Sequence, residues 1–303
     1  MMELNQLKLL LNEFGENVRF EYDLKKKNWF NIGGKTKIFY KANNLNELAV
    51  FLKKLGNKEK VFILGAGSNT LISDNLFNGV VIKLGKNFNN ISLLGEDIII
   101  AGSSVLDKSL SEFAMNNSLS GFEFLSCIPG TIGGGIKMNA GCFGNEFKDI
   151  LLSVQAIDKA GNIKTILSKD IKFEYRNNNL PDDLIFLSAS FKGKKGSSTQ
   201  INDKMNKLKI EKEKNQPTKI RTSGSTFKNP LLQTEKKVWE LIKESIPLDT
   251  NFGDAHISDK HCNFFVNKGN ATFEDMIKLI NFVTENVFKK TGIRLEKEIK
   301  ILE

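Results

Sequence analysis

The chain has little of the chemistry that metal centres and disulfide frameworks need. Its three cysteines (Cys127, Cys142, Cys262) and two histidines (His256, His261) stand at no C-x-x-C or other ligand spacing, so no metal site is expected. An odd, sparse cysteine count suits a reducing cytoplasm. Long apolar runs are lacking too. The short run at Leu9, Leu10 and Leu11 lies among Glu3, Glu13 and Glu16, too short and too acidic for a signal peptide or a membrane span. It reads as a first amphipathic helix. No P-loop, internal repeat or low-complexity tract stands out.

What remains is ordinary globular material. At 303 residues the chain is about two average domains long, and 40% hydrophobic with 26% charged residues excludes wholesale disorder. The net charge of +9 comes from lysines scattered along the chain rather than striped on one face. No reader module and no basic face with interleaved aromatics is present, so neither nucleic acid nor a membrane surface is an expected partner. A monomer acting on a small molecule is expected.

The periodicities alternate between strand and helix. Residues 44–56 read as a helix with Leu48, Phe51, Leu52 and Leu55 on one face and Gly56 as its cap. Residues 61–74 read as a buried strand entering a glycine turn. Strands are expected at 79–84, 97–101, 151–157, 163–167 and 184–191, a helix at 105–117, and a long irregular segment at 121–141. A charged helix from about 201 to 216, stopping before Pro217, is the expected linker to a second unit. There, 234–245 and 272–292 read as helices, the latter with Thr272 as N-cap and Gly292 beyond its end. Residues 295–302 read as a closing strand, which would put Glu296, Glu298 and Lys300 on one face. The fold class is α+β.

Glycine is concentrated in places. GAGSNT, from Gly65 to Thr70, follows a strand, yet it lacks the third glycine and the later acid of a dinucleotide fingerprint. PGTIGGGIKMNAG then places Gly130, Gly133, Gly134, Gly135 and Gly141 close together. Glycine-dense backbone can close on an anion through its N–H groups. Two such clusters, with Gly33 and Gly34, point to a cofactor containing a diphosphate.

In order and spacing, NIGG, LGAGSNTLISD, IPGTIGGGIKMNAG, YR, GSTFKNP and the terminal LEKE resemble the UDP-N-acetylenolpyruvoylglucosamine reductase family over about residues 28–303. The resemblance implies a two-lobed FAD-binding domain of the vanillyl-alcohol-oxidase type at 1–200, with lobes near 1–85 and 86–200. A substrate-binding domain at 201–303 would follow, its last strand returning to the active site. It implies NADPH as hydride source and UDP-N-acetylglucosamine enolpyruvate as substrate. The short stretch between Tyr175 and Gly224 is similar to the form lacking an extra tyrosine-bearing loop. Another FAD enzyme of the same fold, oxidising an alcohol or hydroxy acid, would share the glycines but has no reason to carry GSTFKNP.

On this resemblance, Asn31, Ile32, Gly33, Gly34, Gly65, Ala66, Gly67, Ser68 and Asn69 help hold FAD. So do Pro129, Gly130, Thr131, Gly133, Gly134, Gly135, Asn139 and Ala140. Arg176 would grip the substrate carboxylate bidentately as charge builds on it, and Tyr175, Lys228 and Asn229 would contact substrate. Ser225 would donate the proton, and Glu298, in neutral form, would hydrogen-bond the developing enolate. Two residues depart from the family's pattern: Asn178 where Ser is common, and Lys297 where Pro is. Non-covalent FAD is expected, because the histidines lie in the substrate domain and Cys127 and Cys142 read as small apolar packing. His256 and His261 read as structural or nucleotide-contacting.

Overall fold

The protein is described here by a computed structural model covering residues 3–57 and 59–303. The chain opens with α1 (Leu4–Leu10), β1 (Val18–Asp23), β2 (Lys35–Ala42), α2 (Leu45–Leu55), β3 (Val61–Ile63), β4 (Thr70–Ile72) and β5 (Phe77–Leu84). It continues through β6 (Ile91–Leu94), β7 (Ile98–Gly102), α3 (Asp107–Asn116), β8 (Leu119–Ser120), α4 (Ile132–Lys137), β9 (Gly141–Cys142) and β10 (Asn145–Glu146). Then come β11 (Leu151–Ile157), β12 (Ile163–Leu167), β13 (Ile185–Lys192), β14 (Lys194–Lys195) and α5 (Ser198–Asn215). It closes with α6 (Val238–Ser245), β15 (Asn251–Phe252), β16 (Ala255–Ile257), β17 (Phe265–Asn267), α7 (Phe273–Thr291) and β18 (Lys300–Leu302).

Two compact units emerge, and neither is a continuous stretch. The first comprises Met1–Phe20, Lys37–Ala66 and Asn78–Lys212; the second comprises Glu21–Thr36, Gly67–Phe77 and Glu213–Glu303. Sequence periodicity treats the chain as consecutive blocks, so it divides at residue 201. The structural boundary falls inside α5 and also lends two early segments to the second unit.

The first unit carries two cores. One gathers Ile38, Tyr40, Phe51, Val80 and Ile82 around a sheet of order β1-β2-β5-β3. Its helix α2 forms where the sequence indicates: Asn44 caps the Glu47 N–H at 2.9 Å, and Gly56 ends the helix at φ 59. Leu48, Phe51, Leu52 and Leu55 are buried, each contributing about 1.5–3 kcal/mol relative to exposure. The second core gathers Ile99, Phe122, Phe147, Val154 and Phe191 against a sheet of order β12-β11-β13-β7-β6, covered by α3 and α4.

In the second unit, α6 and α7 pack over β15-β16-β17, and Phe30, Ile32 and Leu71 enter the same core. A capping box starts α7, with Thr272 and Asp275 each accepting the other's backbone N–H. Strand β18 pairs in parallel with β4, Lys300 opposite Thr70 and Leu302 opposite Ile72.

Four expectations need correction. The segment 121–141 is not irregular throughout: α4 forms in spite of three glycines, because Gly135 packs where any side chain would overlap the Phe147 ring. The closing strand spans only Lys300–Leu302, so the alternation expected for Glu296 and Glu298 does not apply; both precede the strand. Helix α6 begins at Val238 rather than 234, after a turn built on Pro230, whose carbonyl accepts the N–H groups of Gln233 and Thr234. Helix α5 starts at Ser198, three residues before its expected position.

Candidate active site

In the first unit the two glycine clusters lie side by side. A Cβ on Gly65 would stand 2.7 Å from the Thr131 hydroxyl, and Lys83 Nζ donates to the Gly65 carbonyl at 2.8 Å. Ile132 N donates to Val105 O at 2.9 Å and Gly133 N to Ser103 O at 3.0 Å, which docks the start of α4 on the turn after β7. Facing these glycines are three buried oxygens with no protein partner: Ser103 Oγ and both carboxyl oxygens of Asp107. A Cβ on Gly130 would lie 2.6 Å from Asp107 Oδ2. Burial pushes the Asp107 carboxyl well above the ordinary carboxylate range, which favours its neutral form. Unsatisfied buried oxygens beside a glycine-dense backbone are what a diphosphate-containing cofactor would approach, so these residues fit FAD.

Arg176 is fixed to the far end of the same segment. It sits at φ 58 in a tight turn in which Glu174 and Asn177 exchange backbone hydrogen bonds of 2.9 and 3.2 Å. Its Nη2 donates to Gly141 O at 3.2 Å, and its guanidinium lies 4.9 Å from the Tyr175 ring centre. Two asparagines hold the turn. Asn139 Nδ2 donates to Glu174 O at 3.1 Å and to Glu146 Oε2 at 3.0 Å, while its Oδ1 accepts from Lys148 N at 3.1 Å. Asn178, fully buried, donates to Ile136 O at 3.2 Å and accepts from Leu180 N at 3.0 Å. The side chain of Asn139, expected to touch FAD, is thus committed to the protein.

In the second unit, Ser225 and Glu298 lie on neighbouring segments. Glu298 N donates to Thr226 O at 2.8 Å, Lys228 N to Glu296 O at 2.8 Å, and Phe227 bridges Lys297. Asn263 clamps the serine loop: its carbonyl accepts from Thr226 N at 2.8 Å, and its amide exchanges bonds with the Phe227 backbone at 3.0 and 2.9 Å. Asn69 Nδ2 donates to Glu298 O at 3.1 Å, and Asn69 O accepts from Lys300 N at 2.9 Å. A residue assigned to FAD therefore also pins the glutamate segment. Lys228 Nζ pairs with Glu296 at 3.3 Å, and Asn229 Oδ1 takes the Val238 N–H at the start of α6 at 3.1 Å.

The second unit also holds the NIGG turn. Gly34 N donates to Ser73 O at 2.7 Å, Asn31 sits at φ 53, and Ile32 is buried. Gly67 adopts φ 70 where a side chain would overlap the Lys27 carbonyl, so only glycine fits. Ser68 and Ala66 flank it, half-buried. Of the sequence-derived residues, Gly65, Ala66, the 129–140 group, Tyr175 and Arg176 fall in the first unit; the rest, with Ser225 and Glu298, fall in the second.

Sequence reasoning missed Ser103, Asp107 and Asn263. An acid opening a helix reads as ordinary dipole complementation, and nothing in a single sequence shows that it is buried. His261 makes protein contacts: its Nδ1 accepts from Asn263 N at 3.3 Å and its ring meets Phe264 edge-on, with burial lowering its pKa. Among the described residues no cluster of His, Cys, Asp and Glu could hold a metal ion, and no helix is long and apolar enough to cross a membrane.

Residues 36–167 match the family described as "FAD binding domain". The chain is an FAD-dependent oxidoreductase, built as a two-lobed domain of the vanillyl-alcohol-oxidase type followed by an α+β domain. Residues 216–302 match "UDP-N-acetylenolpyruvoylglucosamine reductase, C-terminal domain". The reductase of that name from Pelagibacter ubique (strain HTCC1062) is 65% identical over 302 residues, spanning 100% of both chains. That from Rickettsia bellii (strain RML369-C) is 48% identical over 282 residues, 93% of this chain and 92% of the relative. The crystal structure of UDP-N-acetylenolpyruvylglucosamine reductase from Thermus caldophilus superposes with a TM-score of 0.82 at 29% identity, covering 94% of this chain and all of that one. The chain belongs to the UDP-N-acetylenolpyruvoylglucosamine reductase family.

Proposed function

We propose that this chain reduces the enolpyruvyl ether of UDP-N-acetylglucosamine to the lactyl ether, UDP-N-acetylmuramate, a precursor of the bacterial cell wall. NADPH is the electron source. The glycine segments around Gly65 and Gly130–Gly135, with Ser103 and Asp107, would hold FAD, which would supply hydride chemistry at the terminal methylene carbon of the substrate. The protein's own work is to hold the substrate carboxylate and to manage the charge and proton at the neighbouring carbon.

Arg176 grips the carboxylate. Its turn is fixed from two sides, so the guanidinium is presented with little entropy left to lose. Ser225 delivers the proton, and Glu298, in its neutral form, donates to the enolate oxygen while charge is present. Tyr175, Lys228 and Asn229 contribute substrate contacts. The observation that carries this reading is the pairing of the Ser225 segment with the Glu298 segment, since an alcohol-oxidising enzyme needs neither group. The lysines scattered along the sequence and the sparse, odd cysteine count suit an enzyme working in a reducing cytoplasm without a nucleic-acid or membrane partner.

The test is NADPH oxidation by purified, FAD-loaded protein with and without the enolpyruvyl substrate. Oxidation that accelerates on adding substrate is expected; oxidation indifferent to it contradicts the reading. Ser225→Ala then separates the two halves. Flavin reduction by NADPH should keep its rate, whereas reoxidation by substrate should slow by roughly 10²–10⁴-fold, the worth of a positioned proton donor. Equal slowing of both halves in stopped-flow absorbance would assign Ser225 to cofactor positioning instead.

A further inference from the structure

The segment that carries Ser225 runs between two neighbours. On one side Glu298 N donates to Thr226 O and Lys228 N to Glu296 O, both at 2.8 Å. On the other, Ser225 bridges Phe264, and Thr226 N donates to Asn263 O at 2.8 Å. There the main-chain ladder stops, because the Asn263 N–H is turned to His261 Nδ1 at 3.3 Å. The Asn263 side chain continues the ladder instead. Its Oδ1 accepts from Phe227 N at 3.0 Å, and its Nδ2 donates to Phe227 O at 2.9 Å. A primary amide carries the same donor and acceptor as a peptide, so it serves as one more rung.

Three successive peptides therefore take a bond from one residue. The Asn263 carbonyl holds the Ser225–Thr226 peptide, Oδ1 holds the Thr226–Phe227 peptide, and Nδ2 holds the Phe227–Lys228 peptide. The middle one is gripped at both ends, since its carbonyl is the acceptor for Glu298 N. Water has little access to compete for these groups: Thr226, Phe227 and Asn263 are 0%, 1% and 5% exposed.

Attachment of the segment does not depend on the amide. The Phe227 ring lies in the core of the second unit, edge-on to Phe265 at 5.8 Å, and the bonds to residues 296 and 298 hold the opposite side. What the amide adds is direction. It fixes the rotation of the peptides that follow Ser225, and so the line along which the Ser225 hydroxyl leaves the backbone.

We propose that Asn263 is a positioning residue of the protonation step, its amide aiming the Ser225 hydroxyl at the carbon that receives the proton. It acts through Ser225 and has no contact of its own with substrate or flavin. The inference rests on the reductase reading. Flavin reduction by NADPH needs no proton from Ser225, so it does not depend on this aim. Reoxidation by substrate does, and a reacting group misplaced by an ångström can cost up to about a hundredfold.

The experiment is a double-mutant cycle read by stopped-flow absorbance on FAD-loaded protein: wild type, Asn263→Ala, Ser225→Ala and the double variant. Asn263→Ala should keep its flavin and its rate of reduction by NADPH within about twofold, while reoxidation by the enolpyruvyl substrate slows roughly tenfold to a hundredfold. With the hydroxyl already gone there is nothing left to aim, so the double variant should reoxidise no more slowly than Ser225→Ala alone. Slowing by the full product of the two single effects would show that Asn263 acts independently of Ser225 and would overturn the proposal. So would equal slowing of both halves, or reoxidation by Asn263→Ala at the wild-type rate. Asn263→Ser, a smaller change that keeps a hydroxyl beside Phe227, carries the same readings should the alanine variant lose its flavin. Loss of flavin or of the thermal transition in both variants assigns Asn263 to the fold and overturns the positioning role. Each of these outcomes leaves the reductase reading standing as long as wild-type flavin is reoxidised by the substrate. Wild-type flavin that NADPH reduces and the substrate fails to reoxidise would overturn that reading, and this inference with it.

Discussion

Asp107 occupies an environment that few carboxyl groups tolerate: fully buried, with neither oxygen bonded to protein. Its folded-state proton affinity is raised by desolvation, so the folded protein holds this proton more tightly than the unfolded chain does. The stability it permits is complete below the ordinary carboxylate pKa. It is lost as pH rises toward the raised one, by about 1.4 kcal/mol for each pH unit crossed on the way. Asp107→Asn removes the titration. In FAD-free protein the wild type should lose thermal stability relative to the variant as pH rises from about 4. Parallel melting profiles would show that the carboxyl is solvated after all. At this scale the side chains proposed to carry the chemistry, Arg176, Ser225 and Glu298, are proposed from motif order. The residues that hold them, Asn139, Asn178 and Asn263, cannot be read that way, because an asparagine's role depends on which backbone groups come within reach.

Helix α4 shows how an element can be misjudged from composition. Three glycines in a row read as loop, yet tertiary packing of Gly135 on Phe147 overrides the propensity. The legible helices, α2 and α7, carry their signals locally in a cap, an apolar face and a terminal glycine. The sequence overstates strand β18 because alternation in LEKE reflects contacts of two separate segments rather than one strand. The tether from Asn178 to the last turn of α4 also gives a consequence for the Arg176 turn. Asn178→Ala leaves the Leu180 N–H without its partner, a cost of about 1–3 kcal/mol when such a group stays buried, and frees the Ile136 carbonyl of one of its bonds, the Asn139 N–H remaining at 3.2 Å. Turnover with the enolpyruvyl substrate should fall while flavin content is kept. Asn178→Ser, whose hydroxyl can still accept from Leu180 N, should recover part of the rate. Equal activity in both variants would mean that Asn178 supports the fold and not the arginine.

At the scale of the molecule, the second unit depends on residues far ahead of it in the chain. Phe30, Ile32 and Leu71 are buried in its core, and β4 supplies the partner of β18. Three such side chains are worth roughly 1.5–3 kcal/mol each. That is a large share of the roughly 5–15 kcal/mol typical of a whole domain. A fragment of residues 213–303 should therefore lack a cooperative unfolding transition and show poor amide dispersion by NMR. A sharp thermal transition in that fragment would contradict the contribution assigned to the early segments. Sequence reading divides the chain near residue 201 because charge and helix signals there are local, whereas the return of 21–36 and 67–77 leaves no local mark.

The same discontinuity sets a schedule for synthesis. Once residue 77 has left the ribosome, the intervening 78–212 must be made before the first residue of the closing segment appears. At about 5–20 residues per second that is roughly 7–27 s. Throughout that interval the nascent chain carries Phe30, Ile32 and Leu71 without the core that will receive them. The first unit can complete its sheets during the wait, but it must do so around two segments whose apolar side chains belong elsewhere. Translation speed across 78–212, and whatever shields those stretches meanwhile, thereby become determinants of how much chain reaches the folded state.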